Sequence, residues 1–226
     1  MVVRGREETV WILCGLFLCL FKCCAAQLSY SISEHVDKGT FVGNISKDLS
    51  VNLQELESRG LRIISGHNMR YFDVNLKSGV LFVNQSMDRE ELCGQSAKCV
   101  LNVEAILNYP MHLHRIEVNI LDKNDNAPSF LDNVYIINIT ELAYSGEKFP
   151  LPVANDADVG VNAIKSYKLS QNNEHFSLDV QSGGEHGVSA ELVLQKALDR
   201  EKQPVIQLTL TAIDGGSPLD LALSGL

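Results

Sequence analysis

The chain repeats itself. Asp88-Arg89-Glu90 returns 111 residues later as Asp199-Arg200-Glu201, and Ile32-Ser33-Glu34 is echoed by Ile139-Thr140-Glu141 at an offset of 107. A period of that size is one small domain, so the pattern predicts two copies of one fold rather than a single large one. Between these marks, apolar and polar residues alternate. Val100–Leu107 puts Leu101, Val103 and Ala105 on one face and Asn102 and Glu104 on the other; 116–120 and 206–212 do the same. Period 2 with one apolar face marks half-buried antiparallel strands. Shorter strands are expected at 40–45, 71–76, 80–84, 134–139, 164–169, 176–180 and 191–195, with turns at Lys77-Ser78-Gly79 and Ser182-Gly183-Gly184. Helix is expected only within 49–58. The class is therefore all-β, a tandem of sandwiches. After Pro218 only LDLALSGL remains, so the second copy is expected to lack its last strand and to leave a sheet edge bare.

Residues 1–26 differ in kind. Arg4 and Arg6 precede the apolar run VWILCGLFLCLF, and Cys24-Ala25-Ala26 closes it with small residues. This is the layout of a secretory signal peptide, and the run is too short for a membrane span. The mature chain is expected to begin at Gln27. No second stretch is long and apolar enough to cross a membrane, so the product as written would be secreted. Four of the six cysteines lie in the leader, leaving Cys93 and Cys99. In an oxidising compartment two such cysteines pair; a zinc half-site is the alternative reading. Asn44, Asn84 and Asn138 head Asn-x-Ser/Thr triplets and are candidate glycosylation sites. A net charge of −9 argues against nucleic acid as a partner.

Acidic residues cluster at intervals: Glu34; Asp88 with Glu90; Asp122 with Asn124, Asp125 and Asn126; Asp156 with Asp158 and Asn162; and Asp214 before a glycine turn. Singly, each reads as a polar turn. Brought together by a two-sandwich tandem, they would repel strongly without a cation. Oxygen-only donors favour Ca²⁺ or Mg²⁺ over zinc or copper, and a large irregular set favours Ca²⁺. An EF-hand does not fit, because Ala127 stands at the glycine position and Asn133 at the closing glutamate.

In this order and spacing, Glu34, Asp88-Arg89-Glu90, LDKNDNAP (121–128), DADVGVNA (156–163) and AIDGG (212–216) resemble the calcium motifs of cadherin repeats. QLSYSISE, GTFVGNISKDL, MDREELC and the Cys93–Cys99 loop resemble the first repeat of clustered protocadherins. The resemblance implies a signal peptide at 1–26 and tandem cadherin repeats at 27–125 and 126–226. Each repeat would be a seven-strand Greek-key Ig-like sandwich. It implies about three Ca²⁺ ions between the repeats. Glu34, Asp88, Glu90, Asp122 and Asp125 would serve the first repeat's side. Asn124, Asp156, Asp158, Asn162 and Asp214 would serve the second's, with Lys123 and Asn126 giving backbone carbonyls. Glu141, Asp199 and Glu201 match a further site that lacks its following linker. His35 departs from the family, which places another acid there. The sole tryptophan, Trp11, lies in the leader, which excludes tryptophan strand-swapping.

The implied function is calcium-dependent adhesion, with homophilic partners for the parent receptor at the outer face of the plasma membrane. Alternatives are a secreted, non-adhesive decoy fragment and an unrelated secreted calcium-binding hydrolase. For an enzyme, the sequence offers no HExxH, no GxSxG and no phosphate loop. His112 and His114 are two apart on a strand with no third ligand in view. No small-molecule substrate is implied.

Overall fold

A computed structural model describes residues 27–64, 70–170, 174–184, 187–216 and 221–225. The leader, 1–26, lies outside them. The first seven strands are β1 (Leu28–Ser33), β2 (Phe41–Asn44), β3 (Arg62–Ile63), β4 (Phe72–Asn75), β5 (Val80–Val83), β6 (Val100–Leu107) and β7 (His112–Leu121). They form a four-stranded sheet in the order β1-β7-β6-β3 and a three-stranded sheet β2-β5-β4. The next six are β8 (Lys148–Pro150), β9 (Ile164–Leu169), β10 (Phe176–Gly184), β11 (Gly187–Leu194), β12 (Thr209–Asp214) and β13 (Leu221–Gly225). They give β10-β11-β8 and β13-β12-β9. The order β4-β5-β2 thus recurs as β10-β11-β8, and β3-β6-β7 as β9-β12-β13. The internal repeat is a repeat of topology, and the chain is all-β with Ig-like architecture.

Alternation explains the strands. On β6, Leu101, Val103, Ala105 and Leu107 are buried, and on β7 so are Ile116, Val118 and Ile120. On the C-terminal side, Leu192, Leu194, Leu210, Ala212 and Tyr167 share one core, and Phe130, Ile137 and Ile139 pack against it.

The structure changes several expectations. The predicted strand at 134–139 is absent: only Val134 makes a bridge, to Gly225. Ile137 and Ile139 still face the core, so burial rather than ladder pairing accounts for their spacing. Ser182-Gly183-Gly184 is not a turn but the end of β10, which pairs onto β11 with Gly184 opposite Gly187 and a register shift between Ser182 and Gly184. Among the described residues three helices form: α1 (Ile45–Asp48), α2 (Leu53–Arg59) and α3 (Arg89–Cys93). Only α2 overlaps the expected 49–58, starting at Leu53 and ending one residue past it. Its signals are an Asn52 cap and a left-handed Gly60 end. α1 and α3 are single turns set by capping side chains, Asn44 and Asp88, too short to show a period of 3.6.

The expected missing last strand is also corrected. Leu221–Gly225 forms β13 along β12, from Thr209↔Gly225 to Ile213↔Leu221. Alternation reappears within LALSG: Ser224 is buried and its hydroxyl donates to Asp132 O at 3.3 Å, while Leu223 is exposed. Tyr135 N donates to Gly225 O and Gly225 N to Asn133 O, both at 2.8 Å. Five residues suffice because the strand pairs with β12 along its length and is tied at Gly225 to 133–135 on the other side.

Contacts divide the chain into two compact units. One holds residues 27–31, Lys38–Gln85 and Val100–Asn119; the other holds Ile32–Asp37, Ser86–Cys99 and Ile120–Leu226. The second unit therefore contains Glu34, α3 and every acidic cluster named above.

Deleting 217–226 strips β12 of one of its two antiparallel partners, leaving only β9. The loss is expected to be at least about 2 kcal/mol, from several ladder hydrogen bonds at roughly 1 kcal/mol each. A lowered urea midpoint for the deletion variant checks this; an unchanged midpoint would mean that β13 contributes nothing.

Candidate cation site

The site is built around Glu34, which follows β1 and is 1% exposed. Its Oε2 accepts the Arg89 N–H at 2.7 Å, and its Oε1 accepts the Lys123 N–H at 2.8 Å. One carboxylate thereby pins the start of α3 and the 122–126 segment. Backbone bonds repeat the tie: Glu34 N donates to Leu121 O at 3.1 Å, and His35 N to Met87 O at 2.9 Å. Asp88 caps α3 through Glu91 N at 2.9 Å. Its neighbour Glu90 points to the same side: ligand atoms of Glu34, His35, Asp88 and Glu90 all lie within 4.8 Å of one another. So do those of Glu90, Asp125 and Asp158.

The 156–162 loop closes over 122–126. Asp122 Oδ2 accepts Val159 N at 3.1 Å and Asn162 Nδ2 at 2.9 Å. Asn126 N and Nδ2 donate to the two oxygens of Asp158 at 3.2 and 2.8 Å. Asp158 N donates to Asp156 Oδ1 at 3.0 Å. Asp214, at the end of β12, accepts Asn124 Nδ2 at 3.0 Å. All the acidic positions expected from sequence around 122–126 are thus brought together.

Counter-charge is scarce. Arg89 is 1% exposed and sits 3.3 Å from Asp122 Oδ1 and 3.4 Å from Glu90 Oε1. The same Nη1 also donates to Gly94 O at 3.3 Å, and Nη2 donates to Ser96 O. Both belong to the loop closed by the Cys93–Cys99 disulfide, whose Cα atoms are 5.6 Å apart. The paired reading of the cysteines holds, and the zinc half-site does not. His35 Nε2 lies 3.2 Å from Asp125 Oδ2.

These groups leave the cluster negative. A pair of carboxylates near 5 Å apart repels by about 3 kcal/mol at an effective dielectric of 20. Burial, then the charges of Glu34 and Asp122, push Glu90 up to about 7. Burial, then Asp158, Asp214 and Asp122, push Asp156 up to about 6. Asp125 and Asp158 are raised for the same reasons. Asp122 Oδ1 and Asp156 Oδ2 are buried and accept no hydrogen bond. Buried oxygens with spare lone pairs in a crowded, oxygen-rich, negative pocket fit a hard divalent cation such as Ca²⁺.

The second cluster repeats the first in detail. Glu141 Oε1 accepts Arg200 N at 2.5 Å, and Asp199 Oδ1 accepts Lys202 N at 3.2 Å. Glu141, Asp199 and Glu201 converge within 4.8 Å, but Glu141 and Glu201 are exposed. Of the sequons, Asn138 is exposed. Asn44 instead caps α1 and its Ser46 is buried, while Asn84 Nδ2 donates to Arg70 O at 3.1 Å.

Sequence reasoning missed three contributors. Arg89 was read only as the middle of an acidic motif. Gln95 Nε2 donates to Asp156 O at 3.1 Å, and no spacing signals that. Gly216 was read as a turn, yet a Cβ there would lie 2.0 Å from Asn124 Cγ; the glycine pair after Asp214 was the available signal.

Two outcomes follow. Glu90 and Asp156 have folded-state pKa values above their unfolded ones, so the fold holds extra protons in between. Without metal, stability therefore falls as pH rises from about 4 to 7. Melting in chelator at pH 5.5 and 7.5 should show the lower midpoint at 7.5, and saturating calcium should remove the difference. Gly216→Ala should displace Asn124 and weaken calcium binding by about tenfold, measured by calorimetry, while the strand signal in circular dichroism stays.

Two family models match the chain: "Cadherin-like" over residues 27–109 and "Cadherin domain" over 135–221. Protocadherin gamma-A8 of Homo sapiens is 44% identical over 215 residues, 95% of this chain and 23% of that protein. Protocadherin gamma-C5 of Homo sapiens is 47% identical over 207 residues, 92% of this chain and 22% of that protein. The chain thus spans about a quarter of the length of the curated relatives it matches. The crystal structure of protocadherin gamma C5 EC1-3 superposes with a TM-score of 0.82 at 47% identity, covering 88% of this chain and 64% of that one. A mouse clustered PcdhgC3 EC1-3 structure gives 0.77 at 43%, covering 88% and 63%.

Proposed function

This chain belongs to the cadherin family, and on that premise we propose that it is a calcium-dependent adhesion module whose acidic cluster takes up Ca²⁺ and rigidifies the segment joining two repeats. Cadherins are adhesion proteins, not enzymes, which removes the hydrolase alternative. The repeats run 27–125 and 126–226. The observation that carries the reading is two buried oxygens that accept no hydrogen bond amid raised carboxylates: Asp156 Oδ2, and Asp122 Oδ1, which meets only the Arg89 guanidinium at 3.3 Å.

Glu34, Asp88, Glu90, Asp122 and Asp125 hold ions on one side of 122–126. Asn124, Asp156, Asp158, Asn162 and Asp214 hold one on the other, and Lys123 and Asn126 add backbone carbonyls. About three ions match this donor count. A bound divalent cation supplies the positive charge that Arg89 alone cannot. Glu141, Asp199 and Glu201 are half of a further such site. The whole receptor acts at the outer face of the plasma membrane and recognises a second copy on an apposed cell. Within the fragment, Asn138 is the sequon best placed for a glycan.

Extracellular calcium sites have Kd values around 10⁻⁴–10⁻³ M. At 10 mM calcium each site then adds roughly 1.4–2.7 kcal/mol. The test is melting and small-angle scattering of the chain across a calcium titration. The midpoint should rise and the scattering profile should sharpen. Asp125→Ala should weaken binding by about tenfold or more and leave the strand signal intact. Equal melting and scattering with and without calcium would sink the reading.

A further inference from the structure

One position in the cluster is not an oxygen donor. His35 follows the pinned Glu34 in a left-handed turn (φ +53) held by its N–H to Met87 O. Its Nε2 lies 3.2 Å from Asp125 Oδ2 and 3.8 Å from Glu34 Oε2, and its ring is more than one-third exposed. The ligand atom of His35 falls within 4.8 Å of those of Glu34, Asp88 and Glu90. An imidazole beside three or four carboxylates is a different donor set from the oxygen-only remainder of the cluster.

We propose that His35 makes this end of the cluster a site for a first-row transition metal, zinc foremost, which competes there with calcium. Calcium takes oxygen ligands, whereas zinc takes imidazole nitrogen and carboxylate oxygen together in a tetrahedral shell. Neighbouring ligand atoms about 2.0 Å from a tetrahedral zinc stand about 3.3 Å apart, close to the 3.2 Å between His35 Nε2 and Asp125 Oδ2. The ring needs only to carry its proton on Nδ1, which leaves Nε2 free to bind the metal. Glu90 is the carboxylate that converges both with His35 and with Asp125, Asp88 converges with His35 and Glu90, and Glu34 is already anchored by two backbone N–H groups. Zinc then exchanges for calcium at one end of the cluster while Asp156, Asp214 and Asn162 at the other end offer only oxygen.

The inference rests on the reading that the cluster holds a cation, and the two are separable by experiment. Zinc chloride is titrated by calorimetry into the metal-free full chain, into His35→Gln and into His35→Glu, with His112→Asn as a control for other surface histidines. Calcium is titrated into the same samples. The expected result is a zinc-binding event weakened more than about tenfold in both His35 variants, kept in His112→Asn, and diminished by added calcium, while both His35 variants still bind calcium. Retained calcium binding also shows that the variants keep the cluster folded. Zinc isotherms that are the same with and without His35, or no zinc binding by the unaltered chain, overturn the inference whether or not calcium binds. Absence of calcium binding by the unaltered chain overturns the reading on which it rests.

Discussion

The second compact unit depends on one carboxylate. Glu34 brings its two oxygens to two backbone N–H groups, Arg89 and Lys123, that are 34 residues apart in sequence. Each bond joins a full negative charge to a backbone donor inside a buried site, and bonds of that kind are worth roughly twice a neutral one. They fix the start of α3, the entry to 122–126 and the end of β1 relative to one another. Asp88, Glu90, Asp122 and Asp125 acquire their positions from that arrangement. The acids do not gather because they attract; they gather because the backbone between them is pinned.

That arrangement has an electrostatic cost, which the protein offsets only in part. Arg89 neutralises one face, and it can be buried because the carbonyls of Gly94 and Ser96 also accept from its Nη1 and Nη2. A buried arginine without such acceptors would be strongly destabilising. The disulfide-closed loop therefore does more than close a short loop: it supplies the acceptors that let a cation sit beneath Asp122. Its Gln95 also reaches the backbone of Asp156, so the same loop touches both acidic segments.

How much of this was legible in the sequence depends on the kind of signal. A strand with one buried face, such as Val100–Leu107, was readable to the residue because period 2 is a direct record of burial. The acidic positions were readable as a set because each sits at a strand end or turn and the order repeats. The 134–139 segment misled because its isoleucines alternate for burial while its backbone pairs only at Val134. β13 was missed because five residues of LALSG look too short to be a strand until β12 and Asn133 supply partners. Gln95 reaches Asp156 and Arg89 reaches Asp122 across long stretches of sequence, which no local pattern encodes, whereas Gly216 was at least marked by the glycine pair after Asp214. His35 was visible as a departure, but its approach to Asp125 needed the left-handed turn to be seen.

The second cluster shows what the local motif achieves by itself. Glu141 accepts Arg200 N just as Glu34 accepts Arg89 N, and Asp199 caps the following turn just as Asp88 caps α3. Yet Glu141 and Arg200 are exposed where Glu34 and Arg89 are buried. Among the described residues, nothing beside Glu141 plays the part that 121–126 plays beside Glu34. The Glu-to-backbone bond is thus a property of each repeat, encoded within about 60 residues. Burial, the raised carboxylates and the buried Asp122 oxygen without a hydrogen bond come from the third segment. The motif prepares half a site, and the segment that follows a repeat turns that half into a pocket where a cation is worth more than water.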